Sequence, residues 1–71
     1  MKVFITGASS GIGEALAVYY AAQGATLGLV ARRADFLNDL NARLGGGHAC
    51  YPLDVTDAPA VHDAATDFMR R

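Results

Sequence analysis

The hydrophobic pattern changes period several times along the chain. Val3-Phe4-Ile5 is a short, wholly apolar run ended by Thr6-Gly7. Such a run predicts a strand buried on both faces, as in a parallel sheet. A glycine- and serine-rich stretch follows, from Gly7 to Gly13. Ile12, Ala15, Leu16, Tyr19 and Tyr20 then recur at helical spacing and predict a helix with that face inward. Glu14 falls in its first turn, where the helix dipole favours an anion, and Gly24 is a good stop. Residues 25–31 form a second apolar strand, closed by Arg32-Arg33. Asp35 is expected to cap a second helix, with Phe36, Leu37, Leu40 and Leu44 inward and Gly45-Gly46-Gly47 at its end. A short third strand runs from His48 to Leu53. Pro52 cannot donate to a ladder, which places that strand at a sheet edge. Thr56 or Asp57 then caps a third helix, Pro59 sits in its first turn, and Val61, Ala64, Ala65, Phe68 and Met69 face inward.

Strand and helix thus alternate three times. Strands joined through helices run parallel with right-handed crossovers, so the expected class is α/β.

Composition narrows the function classes. Of 71 residues, 52% are apolar and 18% charged, and the formal net charge is −1. That excludes a disordered tail and argues against a nucleic-acid module, which usually carries a basic excess. No uncharged apolar run approaches the ~20 residues of a membrane span. The single cysteine, Cys50, can form neither an internal disulfide nor a zinc knuckle. The apolar start ends too soon for a signal peptide, and a reducing, cytoplasmic setting is expected. Fourteen of the apolar residues are alanine, so the apolar fraction overstates the core. A chain this short suits a small domain, a piece of a larger one, or half of an assembly.

The informative stretch is Thr6-Gly7-Ala8-Ser9-Ser10-Gly11-Ile12-Gly13. It lies between a strand and a helix. Glycines there allow a tight turn and close approach of a ligand, while the helix N-terminus offers unpaired N–H groups. This chemistry suits a phosphate or pyrophosphate, although an ordinary tight turn has the same spacing. The spacing is G-x-x-x-G-x-G rather than G-x-G-x-x-G. A P-loop would need a lysine after its second glycine, and the only lysine is Lys2.

The stretch resembles the T-G-x-x-x-G-x-G signature of the short-chain dehydrogenase/reductase family. The resemblance continues through Leu29-Val30-Ala31-Arg32-Arg33 and Leu53-Asp54-Val55, in the right order and over the whole chain. It implies an NAD- or NADP-dependent oxidoreductase on a Rossmann-type fold. This chain would then be its first half, a three-stranded parallel sheet in the order 3-2-1 with flanking helices. Residues 1–71 would form a partial dinucleotide-binding domain, truncated before the catalytic half.

Carried over by position, the resemblance implies that Gly7, Gly11 and Gly13 shape the loop under the pyrophosphate. Ser9, Ser10 and Ile12 would contact ribose and phosphates, and Thr6 would steady the loop. Asp54 would accept from the adenine amino group, with the Val55 backbone beside it. From the residues alone, Ser9 and Ser10 also read as turn residues and Asp54 as a cap or turn aspartate. An acidic residue at the end of the second strand would bond a free ribose 2′-hydroxyl. Here Arg32 and Arg33 stand in that region. Guanidinium groups match phosphate oxygens in bidentate geometry, which favours NADP(H) over NAD(H). The other readings are a solvated pair or partners for Asp35 or Asp39. The position before the second glycine, often basic in NADP-preferring relatives, is Ser10 here.

The family's catalytic groups are not in this sequence. They include a tyrosine with a lysine four residues later, but Tyr19, Tyr20 and Tyr51 are followed at that spacing by Gln23, Gly24 and Val55. Tyr19 and Tyr20 read as packing residues, His48 and His62 as surface or helix residues, and Cys50 as a small packing residue. Asp63 and Asp67 read as a solvated face, with Arg71 placed to pair with Asp67. The expected function is the NADP(H)-binding portion of an oxidoreductase acting on an alcohol or carbonyl substrate through the missing half. No nucleic acid or membrane partner is expected, and the full-length parent is expected to be a homo-oligomer. The alternatives are a stand-alone NADP-binding or regulatory module without catalysis, and a remnant without stable function.

Overall fold

A computed structural model describes all 71 residues. The elements are β1 (Lys2–Thr6), α1 (Gly11–Ala22), β2 (Thr26–Ala31), α2 (Ala34–Arg43), β3 (Ala49–Pro52) and α3 (Ala58–Met69). All strands are parallel in the spatial order β1-β2-β3, which is the expected 3-2-1 arrangement. Val3 pairs with Leu27 and Ile5 with Leu29, and Leu29 in turn pairs with Cys50. The central strand carries the core: every residue from Leu27 to Ala31 is buried.

Side chains alternate across the sheet, as a two-residue period requires. Ile5, Leu27, Leu29 and Ala31 join Ala17 of α1 and Leu37 and Leu40 of α2 in one cluster. On the opposite face, Phe68 of α3 reaches the ring of Phe4, with centroids 5.9 Å apart. Gly28 makes that packing possible. A Cβ there would come within 2.7 Å of Phe4 Cδ1 and 2.9 Å of Phe68 Cγ. Helix α3 follows β3 in sequence but crosses to β1, where Lys2 Nζ donates to the carbonyls of Phe68 and Arg71.

Four local expectations are corrected. Helix α1 does not bury the Ile12, Ala15, Leu16 and Tyr19 face. Ile12 is 78% and Tyr19 59% exposed, whereas Gly13 and Ala17 are buried. Tyr20, half-buried, packs on the core and meets the ring of Tyr19 edge-on at 5.1 Å. The helix is apolar on most of its circumference, so periodicity alone does not choose a face. Close approach at Gly13 chooses it. Second, Asp35 is not the cap of α2. Arg33 holds that position without a side-chain cap bond, and Asp35 lies in the first turn. Third, Met69 is exposed, while Ala64 and Phe68 face the sheet. Fourth, His48 is more than a surface residue. Its Nδ1 accepts from the Leu27 N–H at 3.0 Å, and its own N–H donates to Asn41 Oδ1 at 3.1 Å. The ring thereby extends the edge of the ladder one residue beyond β3. Of the two cap candidates for α3, Asp57 is the one used, accepting from the Ala60 N–H at 3.2 Å.

Candidate functional site

The C-terminal ends of the three strands lie along one edge of the sheet, where parallel α/β folds bind ligands. Two main-chain bonds gather the loops that leave them. The Ala8 N–H donates to Val30 O at 2.9 Å, and the Leu53 N–H donates to Ala31 O at 3.0 Å. The end of β2 therefore holds both the glycine loop after β1 and the segment after β3.

The glycine loop turns at Gly7, whose φ of 68° suits only a residue without a Cβ. Ser10 is the N-cap of α1. Its hydroxyl donates to Gly7 O at 2.8 Å and accepts from the Gly13 N–H at 3.0 Å. Gly13 sits directly against the turn, where a Cβ would lie 2.1 Å from Gly7 O. A Cβ on Gly11, by contrast, would meet nothing within 4 Å. The N–H groups of Ser9, Gly11 and Ile12 have no acceptor within the chain. Free donors at the positive end of a helix dipole could hold a phosphate group.

Thr6, at the end of β1, is exposed and pairs in register with Val30. At the end of β2 the two arginines differ. Arg33 donates to both oxygens of Asp35, at 3.2 and 2.7 Å. Arg32 reaches across the sheet edge, with Nη2 3.1 Å from Asp54 Oδ2. Asp54 closes a short turn, its Oδ1 accepting from Thr56 N–H at 2.9 Å and Thr56 Oγ1 at 2.8 Å. Those Thr56 donors, with Arg32 adding to them, hold the Asp54 carboxyl below the usual carboxylate range, so it is ionised at neutral pH. Val55 is exposed beside it. The edge thus presents free amides, a guanidinium and a carboxylate. Such groups could hold phosphates and the amino substituent of a base.

Two participants had little or no sequence signal. Thr56 as the residue that fixes Asp54 is foreshadowed only by the D-x-T spacing of an Asx-type turn. The Arg32–Asp54 pair joins residues 22 apart in sequence and leaves no local trace. Arg33–Asp35 and Arg71–Asp67, at two and four residues, are the local pairings the spacing allowed. Tyr51, Lys2 and Cys50 stand apart from the edge's free donors. Tyr51 Oη donates to Asp67 Oδ2 at 2.6 Å. Lys2 lies at the opposite end of β1 from the glycine loop. Burial raises the Cys50 thiol pKa, which disfavours a thiolate. No helix is long and apolar enough to cross a membrane.

Comparison with known proteins gives these features a context. The chain is 48% identical over 65 residues to an uncharacterized oxidoreductase of Mycobacterium tuberculosis, covering 84% of this chain and 26% of that protein. Its fold superimposes on a citronellol catabolism dehydrogenase of Pseudomonas aeruginosa with a TM-score of 0.85 at 29% identity, covering 99% of this chain and 30% of that one. It also superimposes on the L-sorbose reductase of Gluconobacter frateurii, solved with NADPH and L-sorbose, with a TM-score of 0.78 at 37% identity, covering 97% and 27%. The chain therefore spans about a quarter of the length of the curated relatives it matches. The short chain dehydrogenase family profile matches residues 1–71 from end to end. With the glycine loop, the parallel β1-β2-β3 order and this match in agreement, the chain belongs to the short-chain dehydrogenase family.

Proposed function

We propose that residues 1–71 are the N-terminal NADP(H)-binding portion of a short-chain oxidoreductase, with NAD(H) the weaker ligand. The observation that carries this reading is the convergence of free amides at the start of α1 with the Arg32 guanidinium at the end of β2. When bound, the nicotinamide cofactor supplies or accepts the hydride exchanged with an alcohol or carbonyl carbon. This chain's own groups bind and orient the adenine nucleotide. The Ser9, Gly11 and Ile12 amides take phosphate oxygens. Asp54 accepts from the base, and Arg32 takes the 2′-phosphate. The NADPH found with the L-sorbose reductase supports the phosphorylated cofactor.

Proton transfer needs groups beyond these residues. Tyr51 is committed to Asp67, and no lysine lies four residues after any tyrosine. We therefore read this portion as a partial dinucleotide-binding domain that is inactive alone.

Calorimetric titration of NADP(H) and NAD(H) into wild type, Arg32→Ala and Arg33→Ala tests the reading. Arg32→Ala should weaken NADP(H) by about tenfold, a charge-assisted bond reduced by exposure and salt, and leave NAD(H) unchanged. Arg33→Ala should affect neither strongly, because Asp35 occupies that guanidinium. Equal losses for both cofactors on Arg32→Ala would make the arginine structural and remove the NADP assignment.

A further inference from the structure

Arg32 and Asp54 each suit a different part of the proposed ligand, yet in this structure they hold each other. Arg32 Nη2 lies 3.1 Å from Asp54 Oδ2 across the ends of β2 and β3. The two sides of the pair are unequally tethered. Asp54 is fixed from behind by the Thr56 N–H and hydroxyl, both on Oδ1. Arg32 has a side chain 73% exposed and no partner other than Oδ2. The neighbouring cation is engaged separately, with both Asp35 oxygens accepting from Arg33.

We propose that the Arg32–Asp54 pair is a specificity latch: Asp54 competes with a ligand phosphate for the Arg32 guanidinium and so sets how strongly the site prefers a 2′-phosphorylated nucleotide. The proposal rests on the nucleotide-binding reading above. The carboxylate stays in place on its Thr56 bonds while the long, solvated arginine swings from one acceptor to the other. A guanidinium has donors enough for both, but its charge is already partly neutralised by Asp54, which lowers what a phosphate gains from it. Asp54 in this role is a positioning residue that acts through Arg32.

The test is a double-mutant cycle read with adenosine 5′-monophosphate and adenosine 2′,5′-bisphosphate. The ratio of their dissociation constants isolates the 2′-phosphate, because the adenine contact cancels. Asp54→Asn keeps the Oδ1 acceptor for Thr56 and removes the charge. It should raise the preference for the bisphosphate by about two- to fivefold, the range spanned by an exposed ion pair. In the Arg32→Ala background the same Asp54→Asn change should leave the ratio unmoved. If the ratio does not rise in Asp54→Asn, or rises equally without Arg32, the latch is refuted. The second outcome would mean that Asp54 repels the phosphate directly. Failure of wild type to bind either nucleotide would instead overturn the nucleotide-binding reading, and the latch with it.

Discussion

Replacing Gly13 by alanine tests the geometry on which the whole site depends. In an isolated helix the change would help, by about 0.8–1 kcal/mol. Here the added Cβ would lie 2.1 Å from Gly7 O, 2.9 Å from Gly7 C and 3.1 Å from Ala8 Cα. None of these atoms is the end of a flexible side chain. To reach ordinary contact, the first separation must grow from 2.1 Å to at least 3.4 Å. The start of α1 must then lift from the turn. Overpacking of this kind costs about 1–3 kcal/mol. Lifting the helix also stretches the 3.0 Å bond from the Gly13 N–H to Ser10 Oγ. Loss of a cap adds about 0.5–2 kcal/mol. The net expectation is a loss of roughly 0.5–4 kcal/mol after the propensity gain. For a domain of this size each kcal/mol moves the midpoint by about 4–8 °C, so the melting temperature should fall by at least about 2 °C. Gly11→Ala is the internal control. Its Cβ meets nothing within 4 Å, so stability should equal wild type or exceed it by up to the ~1 kcal/mol propensity gain. A methyl beside the Gly11 amide, proposed above to take a phosphate oxygen, should lower nucleotide affinity. The assay is thermal unfolding followed by circular dichroism, with nucleotide titration on each folded variant. A Gly13→Ala protein that melts at or above the wild-type temperature refutes the close-approach argument.

Three further expectations follow from other parts of the fold. His48→Ala leaves the fully buried Leu27 residue's N–H without its acceptor and should cost about 1–3 kcal/mol in urea unfolding, whereas His48→Asn offers an amide oxygen in place of Nδ1 and should recover most of it; equal stability of the two variants would contradict the role given to the ring. Asp67, held below the ordinary 3.8 chiefly by the Tyr51 hydroxyl and then by Arg71, contributes stability that is whole above that value and is lost as pH falls from there through its lower folded-state value, so Asp67→Asn should flatten the melting-temperature profile below about pH 4 and an unchanged profile would count against it. Purified chain mixed with NADPH and a panel of aldehydes and ketones should show no absorbance change above the uncatalysed rate, and clear turnover would overturn the assignment of proton transfer to residues outside 1–71.

What could be read from the sequence follows the range over which each interaction acts. Parallel pairing and the glycine loop were legible because their causes are local, whereas the strand order came from the family resemblance. The apolar β1 run read as buried on both faces, yet β1 is an edge strand with Val3 and Phe4 half-buried. A wholly apolar run ends at Thr6-Gly7, glycines follow at fixed spacing, and Pro52 marks an edge. The buried face of α1 was not legible. Ile12, Leu16 and Tyr19 outweigh Gly13 and Ala17 on any hydrophobic count, yet main-chain contact at Gly13 turns the larger residues outward. At the site, Gly7, Ser10 and Gly13 fall where their spacing puts them. The arginines were split by partners at different ranges, Asp35 two residues from Arg33 and Asp54 far along the chain from Arg32. His48 acts on a main-chain N–H 21 residues away, and no side-chain pattern records that.

The two bonds at the end of β2 have a kinetic consequence. Val30 O and Ala31 O are successive carbonyls pointing to opposite edges of the strand, one taking the Ala8 N–H and the other the Leu53 N–H. Both amides belong to connecting segments, yet each is closed by the central strand of the sheet. Their deuterium uptake should be governed by opening of that strand end, and so be far slower than at Ser9, Gly11 and Ile12, whose amides have no acceptor within the chain. A protection map would then show isolated slow positions within otherwise fast connections.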